Sequence, residues 1–188
     1  ACFPLRSVGR LRLAMQPCTI SQKIDRPVDV VFDYLSDLAN YSEFTEHFLS
    51  DWRMTREETY GLGAGGRFHE DLPFDRFGWG DMAIVEYKAP RLIVLAGCGG
   101  KYNRIRTLTA FELSDNGNGG TEITLTVETR PVFPSDKVVG AIGQNRARRR
   151  GWRKALGRLS RILEEGKARG PRATIAGGAR KPATGLRG

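Results

Sequence analysis

Residues 121–166 read TEITLTVETRPVFPSDKVVGAIGQNRARRRGWRKALGRLSRILEEG. In the first ten, Ile123, Leu125 and Val127 alternate with Glu122, Thr124, Thr126 and Glu128. That period of two describes a strand with one buried and one wet face. Pro131 and Pro134 end it. Ser135-Asp136 then supplies an N-cap, and Gly166 a stop, for a helix running to about Glu165. Val138, Ile142, Trp152, Leu156, Leu159 and Leu163 form its apolar stripe, interrupted where Asn145 and Arg149 take the same face. At about 1.5 Å per residue this helix can cross a whole sheet.

Upstream, the pattern stays in strands. Trp52–Thr59, Arg67–Phe74, Gly78–Lys88, Leu92–Gly97 and Tyr102–Leu113 precede Thr121–Arg130, separated by turn residues. Six strands at hairpin spacing make an antiparallel meander, not βαβ units. Further back, Thr19–Asp25 alternates as a first strand. Pro27 opens a helix in which Val28, Val31, Phe32 and Leu35 share a face, and Leu38–Phe44 reads as a second short helix or turn. The expected class is α+β: a curved antiparallel sheet of about seven strands around one long C-terminal helix, with two short helices after the first strand. A sheet curled around a single helix encloses more space than side chains fill, so a ligand cavity is expected.

The chain has 188 residues, which suits one domain with tails. Residues 1–18 read as an N-terminal extension, 19–165 as the domain, and 166–188 as a flexible basic tail too poor in apolar residues to fold. The Arg-rich, acid-free start also fits a transit peptide. Net charge is +9, unevenly placed: 1–135 holds 15 basic and 18 acidic residues, 136–188 holds 15 and 3. No apolar run approaches the ~18 residues of a membrane span. Cys2, Cys18 and Cys98 are odd in number with no CxxC spacing, which argues against a disulfide framework and fits the cytoplasm. His47 and His69 have no partners at ligand spacing, so no metal is expected.

Several local motifs, in this order, resemble the START-like (SRPBCC, helix-grip) superfamily, in its polyketide cyclase/dehydrase and lipid transport branch. They are Ile24-Asp25-Arg26-Pro27-Val28-Asp29-Val30-Val31-Phe32-Asp33-Tyr34-Leu35, Gly63-Ala64-Gly65-Gly66-Arg67-Phe68, Tyr87-Lys88-Ala89-Pro90-Arg91 and Gly120-Thr121-Glu122-Ile123-Thr124. The resemblance spans residues 19–165. It implies a helix-grip fold with a hydrophobic cavity, a Gly-rich loop at the cavity rim, and a lipid, polyketide or isoprenoid as ligand. It does not imply one reaction. The expected function is carriage or sensing of such a ligand without a cofactor, the alternative a polyketide aromatase/cyclase.

The candidate catalytic residues are Glu70, Tyr102 and Arg104. Glu70 shares an apolar strand face with Phe68 and Leu72, which suits a cavity anchor or general acid/base; the other reading is an ion pair with an arginine, for example Arg104 or Arg149. Tyr102, Arg104 and Arg106 share a face with Leu108 and Ala110 and can polarise a carbonyl, unless Ile105, Thr107, Thr109 and Phe111 are the inner set. Phe68, Leu72, Trp79, Met82, Leu125, Ile142, Asn145 and Arg149 are the candidate ligand contacts. Gly61, Gly63 and Gly66 match GxGxxG, but a strand follows where nucleotide binding needs a helix. Nine cations between Lys137 and Arg161 have no acid among them. Arg148, Arg150 and Arg153 are the candidate anionic-surface residues, for weak contact with anionic membrane or RNA. The other reading is a solvated face. No specific DNA recognition is expected.

Overall fold

The computed structural model describes residues 17–73, 78–131, 144–166 and 170–175. Strand β1 (Cys18–Ile24) is followed by helix α1 (Val28–Ser36), a 3-10 turn (Leu38–Asn40) and helix α2 (Tyr41–Thr45). Then come β2 (Leu49–Met54), β3 (Gly65–Glu70), β4 (Trp79–Lys88), β5 (Leu92–Gly99), a 3-10 turn (Lys101–Asn103), β6 (Ile105–Asp115), β7 (Thr121–Pro131) and helix α3 (Asn145–Glu165). The seven strands form one sheet in the order β1-β7-β6-β5-β4-β3-β2, each pair antiparallel. β1 and β2 are its two edges, and α1 and α2 connect them. The expected helix-grip class is the observed one.

β7 shows why the pattern sorted the faces. Thr121, Ile123, Leu125, Val127 and Thr129 are buried, while the residues between them are partly exposed. Two strands sit a few residues from their expected places: β2 starts at Leu49 and β3 at Gly65. β6 starts at Ile105 because Gly100, Tyr102 and Asn103 all take left-handed backbone (φ 72°, 58° and 55°), which interrupts the ladder.

In α3 the inward face holds Arg148, Gly151, Trp152, Ala155, Leu156, Leu159 and Ile162. The expected interruption by Asn145 and Arg149 is therefore displaced. Arg149 is exposed, Asn145 is half-buried, and the charged residue that faces the sheet is Arg148. Gly151 permits this approach: a Cβ there would lie 2.6 Å from Cδ2 of Phe48. Gly166 ends the helix in the left-handed conformation (φ 66°), its N–H donating to Ile162 O at 3.1 Å. The expected cap at Ser135-Asp136 and the contacts of Val138 and Ile142 lie outside the described residues.

The basic tail is not free throughout. Thr174 pairs in parallel with Arg53 of edge strand β2, and Met54 N–H donates to Thr174 O at 3.0 Å. Ala173 is buried and its N–H donates to Ala39 O at 3.1 Å; Ser42 Oγ donates to Pro171 O at 2.6 Å; Arg172 pairs with Asp37. An edge strand offers unpaired backbone groups, and a polar segment can cover them without apolar residues of its own. That is why composition gave no sign of the docking.

The core between sheet and helices is aromatic. Tyr41 packs against Trp52 (6.1 Å between centroids) and Phe111 (6.0 Å), and Trp152 against Phe111 (6.1 Å) and Phe48 (5.3 Å). Trp52 Nε1 donates to Thr45 Oγ1 at 3.0 Å. Among the described residues Tyr41 Oη is buried without a partner, and burial pushes its pKa up. An orphaned buried hydroxyl carries its desolvation cost uncompensated. Tyr41→Phe is therefore expected to raise the unfolding free energy by about 1 kcal/mol, read from the urea midpoint at unchanged slope.

Candidate functional site

A cleft opens between the sheet and the N-terminal half of α3. Its floor is Gly80 and Met82 of β4, Leu95, Gly97 and Gly99 of β5, Ile105, Thr107 and Thr109 of β6, and Val127 of β7. Leu49, Phe68 and Glu70 wall one side, and Arg148 and Trp152 cover it. The inward positions of β4 and β5 at this end carry glycine because neighbouring groups crowd them: a Cβ at Gly97 would lie 2.6 Å from Asp81 O, and one at Gly80 3.0 Å from the Phe68 ring. The enclosed volume is small, about 40 Å³. It holds roughly three waters. The wide cavity expected from the helix-grip geometry is a narrow cleft here, because Trp152, Phe68, Met82 and Leu95 occupy much of the space.

One ion pair sits in this apolar lining. Arg148 Nε donates to Glu70 Oε1 at 2.7 Å and Nη2 to Oε2 at 2.8 Å; Nη1 reaches Thr129 Oγ1 at 3.4 Å. The side chains are 7% and 18% exposed. Such a two-pronged pair fixes both groups in one plane. It presents a locally neutral polar edge to a ligand, able to donate from the guanidinium and accept at the carboxylate. Glu70 thus pairs with an arginine, but with Arg148 rather than Arg104 or Arg149. Arg148 is correspondingly not an outer-surface residue, whereas Arg150 and Arg153 are exposed.

The three candidate catalytic residues are not brought together. Tyr102 is 78% exposed, in the turn after β5. Lys101 Nζ and Arg104 Cζ each lie 5.2 Å from its ring centre. Neither Tyr102 nor Arg104 lines the cleft, because Ile105, Thr107 and Thr109 take the inward positions of β6. Left-handed backbone at a tyrosine costs on the order of 1 kcal/mol, held here by the surrounding turn.

Of the candidate ligand contacts, Phe68 and Met82 line the cleft. Trp79 stands at its lip, 38% exposed, with the guanidinium carbons of Arg53 and Arg67 5.9 and 5.4 Å from its ring. Leu72 is buried outside the lining, Leu125 belongs to the closed core, Asn145 and Arg149 do not reach the cleft, and Ile142 lies outside the described residues. Arg148, Trp152 and Val127 line it without having been singled out as contacts. The glycines of 97–100 were the available signal, since glycine inside a strand marks close approach or open space. The Gly61–Ala64 loop joins β2 to β3, but not at the cleft rim. β3 runs from Gly65, paired with Ala83 midway along β4, to Glu70 at the cleft, so the loop lies away from the cleft.

Solved structures share this fold. The chain is 9% identical to a norcoclaurine synthase from Thalictrum flavum, solved with a transition-state analogue, at TM-score 0.63, covering 82% of this chain and 98% of that one. An uncharacterised protein from Rhizobium leguminosarum is 19% identical at TM-score 0.55, covering 83% and 99%. DynU16, from the dynemicin biosynthetic locus, is also 19% identical, at TM-score 0.53; the match covers 82% of this chain and spans about half (49%) of DynU16. No curated protein matches the chain. The family model for polyketide cyclase/dehydrase and lipid transport matches residues 15–164, and with the helix-grip fold in place the chain belongs to that family.

Proposed function

We propose that the protein binds a hydrophobic small molecule of lipid, polyketide or isoprenoid type in the cleft, as a cytoplasmic carrier or sensor that releases it unchanged. The observation that carries this reading is a mainly apolar lining, with the hydroxyls of Thr107 and Thr109, that holds one buried, mutually satisfied ion pair, Glu70–Arg148. Such a site orients a ligand with a single polar group and gains its affinity from apolar contact. The separation of Glu70 from Tyr102 and Arg104 favours binding over the cyclase alternative, which needs acid/base and polarising groups on one substrate. The narrow inner space suits a thin or flat ligand.

Native mass spectrometry of freshly purified protein, followed by solvent extraction, tests this. The expected result is a bound apolar molecule recovered unchanged. Thr107→Phe places a ring on the cleft floor of a strand that accepts aromatics. It is expected to cut ligand occupancy about tenfold, the ~1.4 kcal/mol scale of one lost apolar contact, with the circular dichroism spectrum retained. Protein free of ligand, or a Thr107→Phe variant as occupied as the parent, would sink the reading; turnover of the extracted molecule would replace it with the enzyme.

A further inference from the structure

We infer that the mouth of the cleft docks on the surface of an anionic lipid bilayer, through Trp79 and Tyr102 with the cations around them. This rests on the proposed binding of a hydrophobic ligand. Trp79 begins β4 and Tyr102 follows β5, and the pairing of Gly80 with Gly99 puts both at the end of the sheet where the cleft opens. They are 38% and 78% exposed, whereas Trp52 and Trp152 are buried. Each exposed ring has two cations over it: Arg53 and Arg67 for Trp79, Lys101 and Arg104 for Tyr102. Tryptophan and tyrosine are the side chains that suit a membrane–water interface, with an apolar body and a polar tip. Basic residues beside them add attraction to anionic headgroups.

Further cations lie at the cleft end. The Glu70–Arg148 pair and the Gln144 Nε2 bond to Pro73 O bring the start of α3, with Arg146, Arg149 and Arg150, to the cleft end. Acids are present there too: Asp81 lies 3.8 Å from Arg67, Asp71 holds His69, and Glu128 holds Arg130. The opposite end is mixed: Asp25, Asp29, Asp115, Glu164 and Glu165 gather there with Lys23, Arg26, Lys88 and Arg91, and Arg26 donates to Leu163 O and Glu164 O. The attraction to a negative surface therefore comes from the cations at the cleft end alone. A duplex nucleic acid offers phosphates but no apolar phase, its bases being stacked inside. A bilayer offers both, and the aromatic lip is continuous with an apolar cleft.

The test uses the full chain with phosphatidylcholine vesicles, with and without phosphatidylglycerol. Trp79 is the exposed tryptophan among the described residues, so its fluorescence reports the lip. The expected result is a blue shift, and quenching by brominated acyl chains, with the anionic vesicles only, fading with added salt. Lys101→Gln together with Arg104→Gln is expected to weaken partitioning about tenfold. Tyr102→Gly suits the left-handed backbone, so it should fold at least as well as the parent while binding vesicles less. Equal binding to neutral vesicles, or no response of Trp79, would overturn the inference. So would a response to duplex RNA in place of vesicles, or loss of binding on Arg153→Gln with Arg161→Gln while the Lys101/Arg104 variant binds as the parent does. Thr107→Phe should dock as the parent does. Docking without recovered ligand indicts the carrier reading alone, and recovered ligand without docking indicts this one alone.

Discussion

Replacing Arg148 by leucine is expected to lower the unfolding free energy by about 3 kcal/mol, as loss of one partner of a buried ion pair does. The substitution leaves Glu70, 18% exposed, facing an apolar cleft with neither of its guanidinium bonds. Thr129 also loses its contact with Nη1. The matching double variant, Glu70→Gln with Arg148→Met, removes both charges at similar volume and should recover stability to within ~1 kcal/mol of the parent, because desolvating two charges offsets most of their attraction. Urea denaturation of the parent, Arg148→Leu and the double variant checks this. If Arg148→Leu is as stable as the parent, the pair is open to water and does not hold α3 against β3. If the double variant is as unstable as the single, the loss comes from packing of the arginine stem, not from an unpaired carboxylate.

Trp152→Ala should cost about 3–5 kcal/mol, the range for removing a buried aromatic ring. Trp152 is 3% exposed, meets Phe48 and Phe111 edge-on, and also covers the cleft. The same substitution joins the core to the cleft and should admit wider ligands. Thermal unfolding measures the first effect, and native mass spectrometry after exposure to a size series of apolar molecules the second. Trp152→Phe keeps a ring and should lose less. A Trp152→Ala protein with parental stability would mean that α3 does not close the core. A variant with unchanged ligand size would mean that the cleft is bounded elsewhere.

The sequence by itself determined the elements and their class. Alternation in Thr121–Arg130, the two-helix insertion after the first strand and the apolar steps from Trp152 onward are local patterns, and local periodicity reports which face of an element is dry. It also brought out Glu70, a carboxylate on an apolar face, and Phe68 and Met82 beside it. Tertiary structure decided the rest. Stepping back from Trp152, both Arg149 and Arg148 lie at helical spacing, and nothing within the helix separates them. The carboxylate that draws Arg148 inward is 78 residues away in the chain. Tyr102 reads as a strand residue until a left-handed turn lifts it out of the ladder. Residues 170–175 carry no apolar pattern and are ordered by the open edge of β2 and a pocket for Ala173. The width of the cleft follows from how far Trp152 reaches across the sheet, a distance between elements, and periodicity within one element carries no information about it.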